Sequence, residues 1–307
     1  MDKRAIIVLS IVFGGLFLVF FGFLALAITA MEGEPPPLVG GTGPKVGVVE
    51  VKDVIQDAKP TLEQLREFRD DDSIEAVIVR IDSPGGAVAP SQEIHDAILK
   101  LREKKKVVAS MANVAASGGY YVAVACDEIV ANPGTLTASI GVITQLPRLQ
   151  ELAHWAKIDF VNITSGKLKD AGDPFSDLTE EDRAYFQGLV MDIHAQFVKA
   201  VAEGRGMSEA EVSKIADGRA MTGAQAKEAG LVDYLGNFEF AVERVRELAG
   251  LEEEPRLVYP KKSEEDVLRE LLRGGAKGLA QGLKTEAATT ARGFGAQVLF
   301  LMAPLAQ

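Results

Sequence analysis

The chain is poor in the residues that usually carry thiol and metal chemistry. Among its 307 residues are one cysteine, Cys126, and three histidines, His95, His154 and His194. A single cysteine excludes an internal disulfide framework and a cysteine-rich zinc site. The histidines are far apart and lack paired metal-ligand spacing. None sits in a glycine-rich or turn-like setting, so packing or surface roles are expected of them, and a Ser-His-Asp triad has no obvious base. Basic excess is lacking too. The net charge is −11, with no patch that reads as a nucleic-acid footprint. Neither a metal nor a cofactor is expected. What is present is 47% hydrophobic and 25% charged residues, enough for one good core, or one core with appendages.

Charge is absent altogether from Ala5 to Ala30, a run crowded with Leu, Ile, Val and Phe. A helix crossing a bilayer needs roughly 20 apolar residues. Lys3 and Arg4 precede the run, and Glu32 and Glu34 follow it. The positive-inside rule then keeps residues 1–4 in the cytoplasm and places the remainder outside. The competing reading is a cleaved signal peptide with Ala25-Leu26-Ala27 at the cut. A signal core usually runs about 7–15 residues, and this one is longer, so an uncleaved anchor over residues 5–30 is expected. The expected location is the cell (inner) membrane, single-pass, with the bulk of the chain on the periplasmic or extracellular side. Residues 31–44 read as a linker, stiff at Pro35 to Pro37 and flexible at the glycines that follow.

Beyond the linker, strand-like and helix-like patterns alternate. Lys45 to Val51, Ala76 to Ile81, Val107 to Met111, Glu128 to Ala131 and Ile158 to Ile163 read as strands. Thr61 to Arg69 (with Thr61 as its cap), Ser91 to Lys104, Ser117 to Ala125 and Leu178 to Glu203 read as helices. In the third of these, Tyr120, Tyr121 and Val124 are expected to face the core. This order predicts an α/β domain with a largely parallel sheet. Glu252-Glu253-Glu254-Pro255 marks a boundary. After it comes an amphipathic stretch, Ser263 to Gly278, then a Gly/Ala-rich one. The expectation for residues 251–307 is a partly helical extension that packs on the core or on a neighbouring protomer.

The stretch with the most chemical content is Ala115-Ala116-Ser117-Gly118-Gly119-Tyr120-Tyr121. A hydroxyl flanked by small residues, directly after a strand, suits a nucleophile on a tight strand-to-helix turn. Glycine tolerates the φ values such turns need, and backbone N–H groups beyond the turn can hold a developing oxyanion. A serine nucleophile needs an activator. With histidine scarce, a lysine kept neutral by burial is the alternative. Lys167 and Lys169 both sit in a small-residue loop, Ser165 to Gly172, and spacing does not choose between them.

A set of motifs does. Asp82-Ser83-Pro84-Gly85-Gly86, Asn113 to Tyr121, Thr137-Ala138-Ser139-Ile140-Gly141-Val142, Ser165 to Asp170, and Gly218 to Ala226 continuing to Gly230-Leu231-Val232-Asp233 follow one another in an order that resembles the signal peptide peptidase A family of short, single-repeat bacterial type. The likeness runs through most of residues 45–250. Its one noted departure is Met221, where the family often has an aromatic residue. The resemblance implies an α/β fold of the Clp protease/crotonase kind, built of repeated ββα units, with the N-terminal transmembrane helix, and a peptidase domain over 45–250. It implies a serine endopeptidase with a Ser-Lys dyad, in which Ser117 is the nucleophile and Lys169 the general base. Gly86 and Gly118 would form the oxyanion hole. Ser139 is a supporting hydroxyl or merely a cap, and Asn113 a brace or merely a turn residue. The implied partners are cleaved signal peptides or other short apolar peptides and further copies of the chain. Those copies would form a ring or dome in which Ser117 and Lys169 come from neighbouring protomers. Two other classes share the fold. An acyl-CoA enzyme is opposed by the extracytoplasmic placement and by the Ser-Lys pair; a non-proteolytic scaffold is opposed by the presence of both residues. A related protease that clips membrane proteins is not separated from the first reading by sequence.

Overall fold

The computed structural model describes residues 43–260. The apolar run 5–30, the linker as far as residue 42 and the amphipathic stretch 263–278 lie outside the described residues. Among the described residues, no helix is long and apolar enough to cross a membrane.

The domain is a mixed α/β structure around an eight-stranded sheet. Its centre is built from β1 (Lys45–Lys52), β2 (Ile74–Ser83) and β3 (Lys106–Ala116), paired in parallel in the order β3-β2-β1. These strands are rich in valine and isoleucine and are buried on both faces, as expected of parallel strands covered by helices. Their period of two divides each strand between two cores. Val49, Val51, Val77, Val79, Ile81, Val107, Ala109 and Met111 face one side. There α1 (Lys59–Asp70) contributes Leu65 and Phe68, and α2 (Val88–Arg102) contributes Ile94, Ile98 and Leu101. Val46, Val48, Ala76, Ile78 and Val108 face the other side, against Ala241, Val242 and Val245 of a C-terminal helix (Phe238–Leu248).

β3 is longer than expected, and its partners fork. Val108 to Met111 pairs with β4 (Glu128–Ala131), and Val114 to Ala116 pairs with β5 (Leu136–Ala138). Between β3 and β4 lies the short helix α3 (Gly118–Ala123). Thr135 and Thr137 hold the fork, donating their hydroxyls to the carbonyls of Ala112 and Ala115. After β5 come α4 (Gln150–Trp155), the long α5 (Glu180–Arg205) and α6 (Glu209–Ser213). Then follow β6 (Ala220–Thr222), antiparallel to β5, α7 (Gly223–Glu228), β7 (Tyr234–Leu235) on β4, the helix 238–248 (α8) and β8 (Arg256–Val258) on β1. β8 lies beyond residue 250, so the sheet takes in the first residues of the stretch read as an extension.

Two local expectations are corrected. Ile158 to Ile163 forms no strand. It has no pairing partner among the described residues, and its apolar side chains stand in solvent, with Ile163 97% exposed. Thr61 is not a cap: α1 begins two residues earlier behind Ala58, with Pro60 in its first turn, where the missing N–H costs nothing. Tyr120 and Val124 are buried in the core, and Tyr121, half-buried, packs against it. α5 opens on a side-chain cap. Thr179 accepts from the Asp182 N–H while the Asp182 carboxylate accepts from the Thr179 N–H, a capping box.

Candidate active site

Parallel α/β sheets bind ligands beyond the carboxyl ends of their strands. Here the ends of β2 and β3 carry two turns that meet. The first is Asp82-Ser83-Pro84-Gly85-Gly86. Gly85 sits at φ +96°, a left-handed conformation that costs glycine nothing. A Cβ on Gly85 would lie 2.6 Å from the nitrogen of Gly118 and 2.9 Å from the Ser117 side chain. Only a bare Cα lets the turns approach this closely. Gly86 lies against the backbone of Ile55, and the bonds from Ile55 N–H to Gly85 O (2.9 Å) and from Ala87 N–H to Ile55 O (2.7 Å) clasp it there.

The second turn is Ser117 itself. It follows β3 without a spacer and has φ +52° and ψ −120°. A non-glycine residue in this region stores about 1–3 kcal/mol of strain and persists only where its surroundings over-determine it. They do so here: the Ser117 N–H donates to Ala138 O at 2.8 Å and its carbonyl accepts from the Tyr121 N–H at 2.9 Å. Tyr120, fully buried, anchors α3 by donating its hydroxyl to Leu231 O at 2.8 Å. Residues 138 and 139 are also at positive φ, so the segment that receives the Ser117 N–H is itself held in an unusual conformation.

The two turns bring Ser117, Gly86 and Gly118 together. All three line a cleft of about 100 Å³. A Cβ on Gly118 would stand 3.3 Å from the Gly86 nitrogen. Among the described residues, neither the Gly86 N–H nor the Gly118 N–H has a protein acceptor. The arrangement offers a half-buried hydroxyl beside two unengaged backbone donors. The remaining wall is mostly apolar, from Val88, Tyr121, Val142, Ile143, Ile193 and Phe197, with Ser91 and Gln92 as its polar side chains. Tyr121 packs between His95 and Phe197, and burial pushes its phenol up from the ordinary range. Sequence reasoning missed this wall, because α5 and the segment after β5 are remote from Ser117 in the chain. It also missed Ser91, a buried hydroxyl on α2 that lines the same cleft. The one available signal was its place in the first turn of the helix that follows the Gly85-Gly86 turn.

The other residues singled out from sequence lie elsewhere. Ser139 adjoins the site through Ala138, but its hydroxyl donates to Gly218 O at 3.3 Å and its N–H to Arg219 O at 3.0 Å. Asn113 is exposed and does not line the cleft. Lys169 is exposed, in a separate concavity with Asp170, Val161 and Ile163, and Lys167 is exposed beside it. Within one chain Ser117 and Lys169 are not brought together. His194 donates from Nε2 to Ala216 O at 2.8 Å, His95 packs on Tyr121, and His154 is exposed away from the cleft. Cys126 is free and buried, and burial pushes its thiol up. Among the described residues no group of His, Cys, Asp and Glu could hold a metal.

A strained serine at the end of a parallel strand, facing two free backbone donors, belongs to the serine hydrolases that work through an oxyanion. Comparison with known proteins narrows this to a family. Residues 100–252 match peptidase family S49. The chain is 42% identical over 218 residues to a putative protease of Synechocystis sp., covering 70% of this chain and 78% of that protein. It is 33% identical over 264 residues to a putative protease of Methanocaldococcus jannaschii, covering 81% and 84% respectively. A putative signal peptide peptidase SppA of Enterococcus faecium is 36% identical over 186 residues, 60% of this chain and 54% of that one. The chain belongs to peptidase family S49, the signal peptide peptidase A family, and is a serine peptidase.

Proposed function

We propose that the chain is a membrane-anchored Ser-Lys endopeptidase that degrades cleaved signal peptides or similar short apolar peptides on the extracytoplasmic side of the cell membrane. The observation that carries this reading is Ser117 at left-handed φ, facing the free N–H groups of Gly86 and Gly118. In this mechanism the Ser117 hydroxyl attacks a peptide carbonyl and its proton passes to Lys169. The Gly86 and Gly118 N–H groups hold the tetrahedral oxyanion, each such donor being worth roughly 10²–10³ in rate. Collapse expels the amine, which takes the proton from Lys169. Water then attacks the Ser117 ester, gives its proton to Lys169, and the released serine recovers it. The forked sheet at β3 supports the repeated ββα architecture of the Clp protease and crotonase.

The separation of Ser117 and Lys169 within one chain favours a dyad shared between protomers. The segment around Lys169 is well suited to an interface: Val161 and Ile163, which share its concavity, are 85% and 97% exposed. Exposed apolar surface beside a functional group suits association with a partner. A neighbouring copy laid on it would also desolvate the lysine, the condition under which an amine serves as a base. The apolar cleft supports small or aliphatic side chains at the cut, and the run from Ala5 to Ala30 supports a location beside membrane-derived peptides. The test is peptide hydrolysis by residues 45–307 with Ser117→Ala and Lys169→Ala alongside. Both variants are expected to lose activity, and full activity in both ends the dyad reading.

A further inference from the structure

Ser83 has no part in the mechanism above, yet it is fully buried and holds the oxyanion turn from beneath. Its hydroxyl donates to Asp53 O at 2.5 Å and accepts from the Gly85 N–H at 3.1 Å. Asp53 is at φ +58° and donates its own N–H to Asp82 O. One hydroxyl thus ties the 82–86 turn to the 53–55 segment, against which Gly86 is clasped. It also lies under the nucleophile. Ser83 pairs with Ala115 in the sheet, across an irregularity in the β2–β3 register, and a Cβ on Gly119 would lie 2.7 Å from Ser83 O. The Gly86 N–H shares a planar peptide with Gly85 O, which accepts from the Ile55 N–H at 2.9 Å, so the 53–55 segment that Ser83 ties to the turn sets the direction of this donor.

We propose that Ser83 is the positioning residue of the oxyanion hole, orienting the Gly86 N–H toward the carbonyl oxygen bound at Ser117. This rests on the reading of Ser117, Gly86 and Gly118 given above. A residue acting this way affects the transition state and not substrate binding, and a misplacement of about 1 Å at such a donor costs on the order of 10² in rate. The experiment compares full-length protein with Ser83→Ala and Ser83→Cys, measuring kcat and KM on a fluorogenic peptide and affinity for the corresponding peptide aldehyde. The aldehyde forms a tetrahedral oxyanion on the serine. Ser83→Ala is expected to lower kcat about 10-fold to 100-fold with KM nearly unchanged, and to weaken the aldehyde by a similar factor. Ser83→Cys, with its weaker hydrogen bonds, is expected to lose less in the same sense. Unchanged kcat in either folded variant, loss confined to KM, or loss of fold in both variants overturns the proposal. Ser117→Ala runs beside them. Persistent cleavage there removes the reading of the site, whereas an inactive Ser117→Ala with an unaffected Ser83→Ala removes this inference alone.

Discussion

Replacing Gly86 with alanine tests the oxyanion turn through a single methyl group. The added Cβ would lie 2.1 Å from the carbonyl oxygen of Ile55 and 2.7 Å from its carbonyl carbon and nitrogen. These are backbone atoms, pinned by bonds to Gly85 O and from the Ala87 N–H, so no side chain can swing aside. Reaching a tolerable contact requires a displacement of about 1 Å, shared between the turn and the 53–55 segment. That moves the Gly86 N–H away from the space above Ser117. A displacement of this size costs on the order of 10² in rate, and outright loss of the donor roughly 10²–10³, equivalent to about 2.7–4 kcal/mol of transition-state stabilisation. The assay is steady-state hydrolysis of a fluorogenic peptide with thermal unfolding measured in parallel. The expectation is a fall of about 10² in kcat/KM, carried by kcat, while the protein still folds cooperatively. An alanine variant with wild-type kcat would show that the Gly86 N–H does not hold the oxyanion.

Other consequences are open to simpler checks. Tyr120→Phe leaves the Leu231 carbonyl buried without its donor and is expected to lower stability by about 1–3 kcal/mol in denaturant unfolding. Asp233→Ala strips the nearly buried Arg205 guanidinium of its bidentate partner, which also accepts the Ile129 N–H. Leaving a buried charge uncompensated costs about 3–5 kcal/mol, read from the same experiment. Cys126 should resist a thiol-specific reagent until the protein is unfolded, because burial both raises its pKa and blocks access. Arg69 and Arg219 hold the carboxyls of Asp70 and Asp217 at about 2. Their lowered folded-state values mean that any contribution is fully present above the ordinary aspartate range and is lost as pH falls toward 2. Acid unfolding followed by circular dichroism should accordingly shift less on acidification in the Asp70→Asn, Asp217→Asn double variant.

The parts of this molecule legible in its sequence are those in which local pattern and tertiary role agree. β1 to β4 are runs of β-branched residues, and α1, α2 and α5 carry apolar residues at helical spacing, so burial on the sheet reinforces what the chain prefers locally. The turns at Gly85-Gly86 and at Ser117 were legible for a related reason: crowded small residues are what close backbone approach requires. The rest depends on distant partners. β5 to β8 are two or three residues long and exist because a neighbouring strand completes them. Ile158 to Ile163 has strand composition but no neighbour to pair with among the described residues, and stays irregular. Ser83 stood in a motif read as a turn, and its role emerges only from Asp53, thirty residues earlier in the chain. The separation of Lys169 from Ser117 is likewise invisible to spacing, since it depends on how an exposed, apolar segment leaves the body of its own protomer.

The central claim is that Ser117 of one protomer acts with Lys169 of another. It is tested most directly by co-assembling full-length Ser117→Ala and Lys169→Ala subunits, each inactive alone, and measuring peptide hydrolysis of the mixture. Mixed assemblies should regain activity, because a Lys169→Ala subunit supplies the serine and its Ser117→Ala neighbour supplies the lysine. Assemblies shown to contain both subunits and yet remaining inactive would contradict the shared dyad, and cleavage by Ser117→Ala alone would contradict the nucleophile itself.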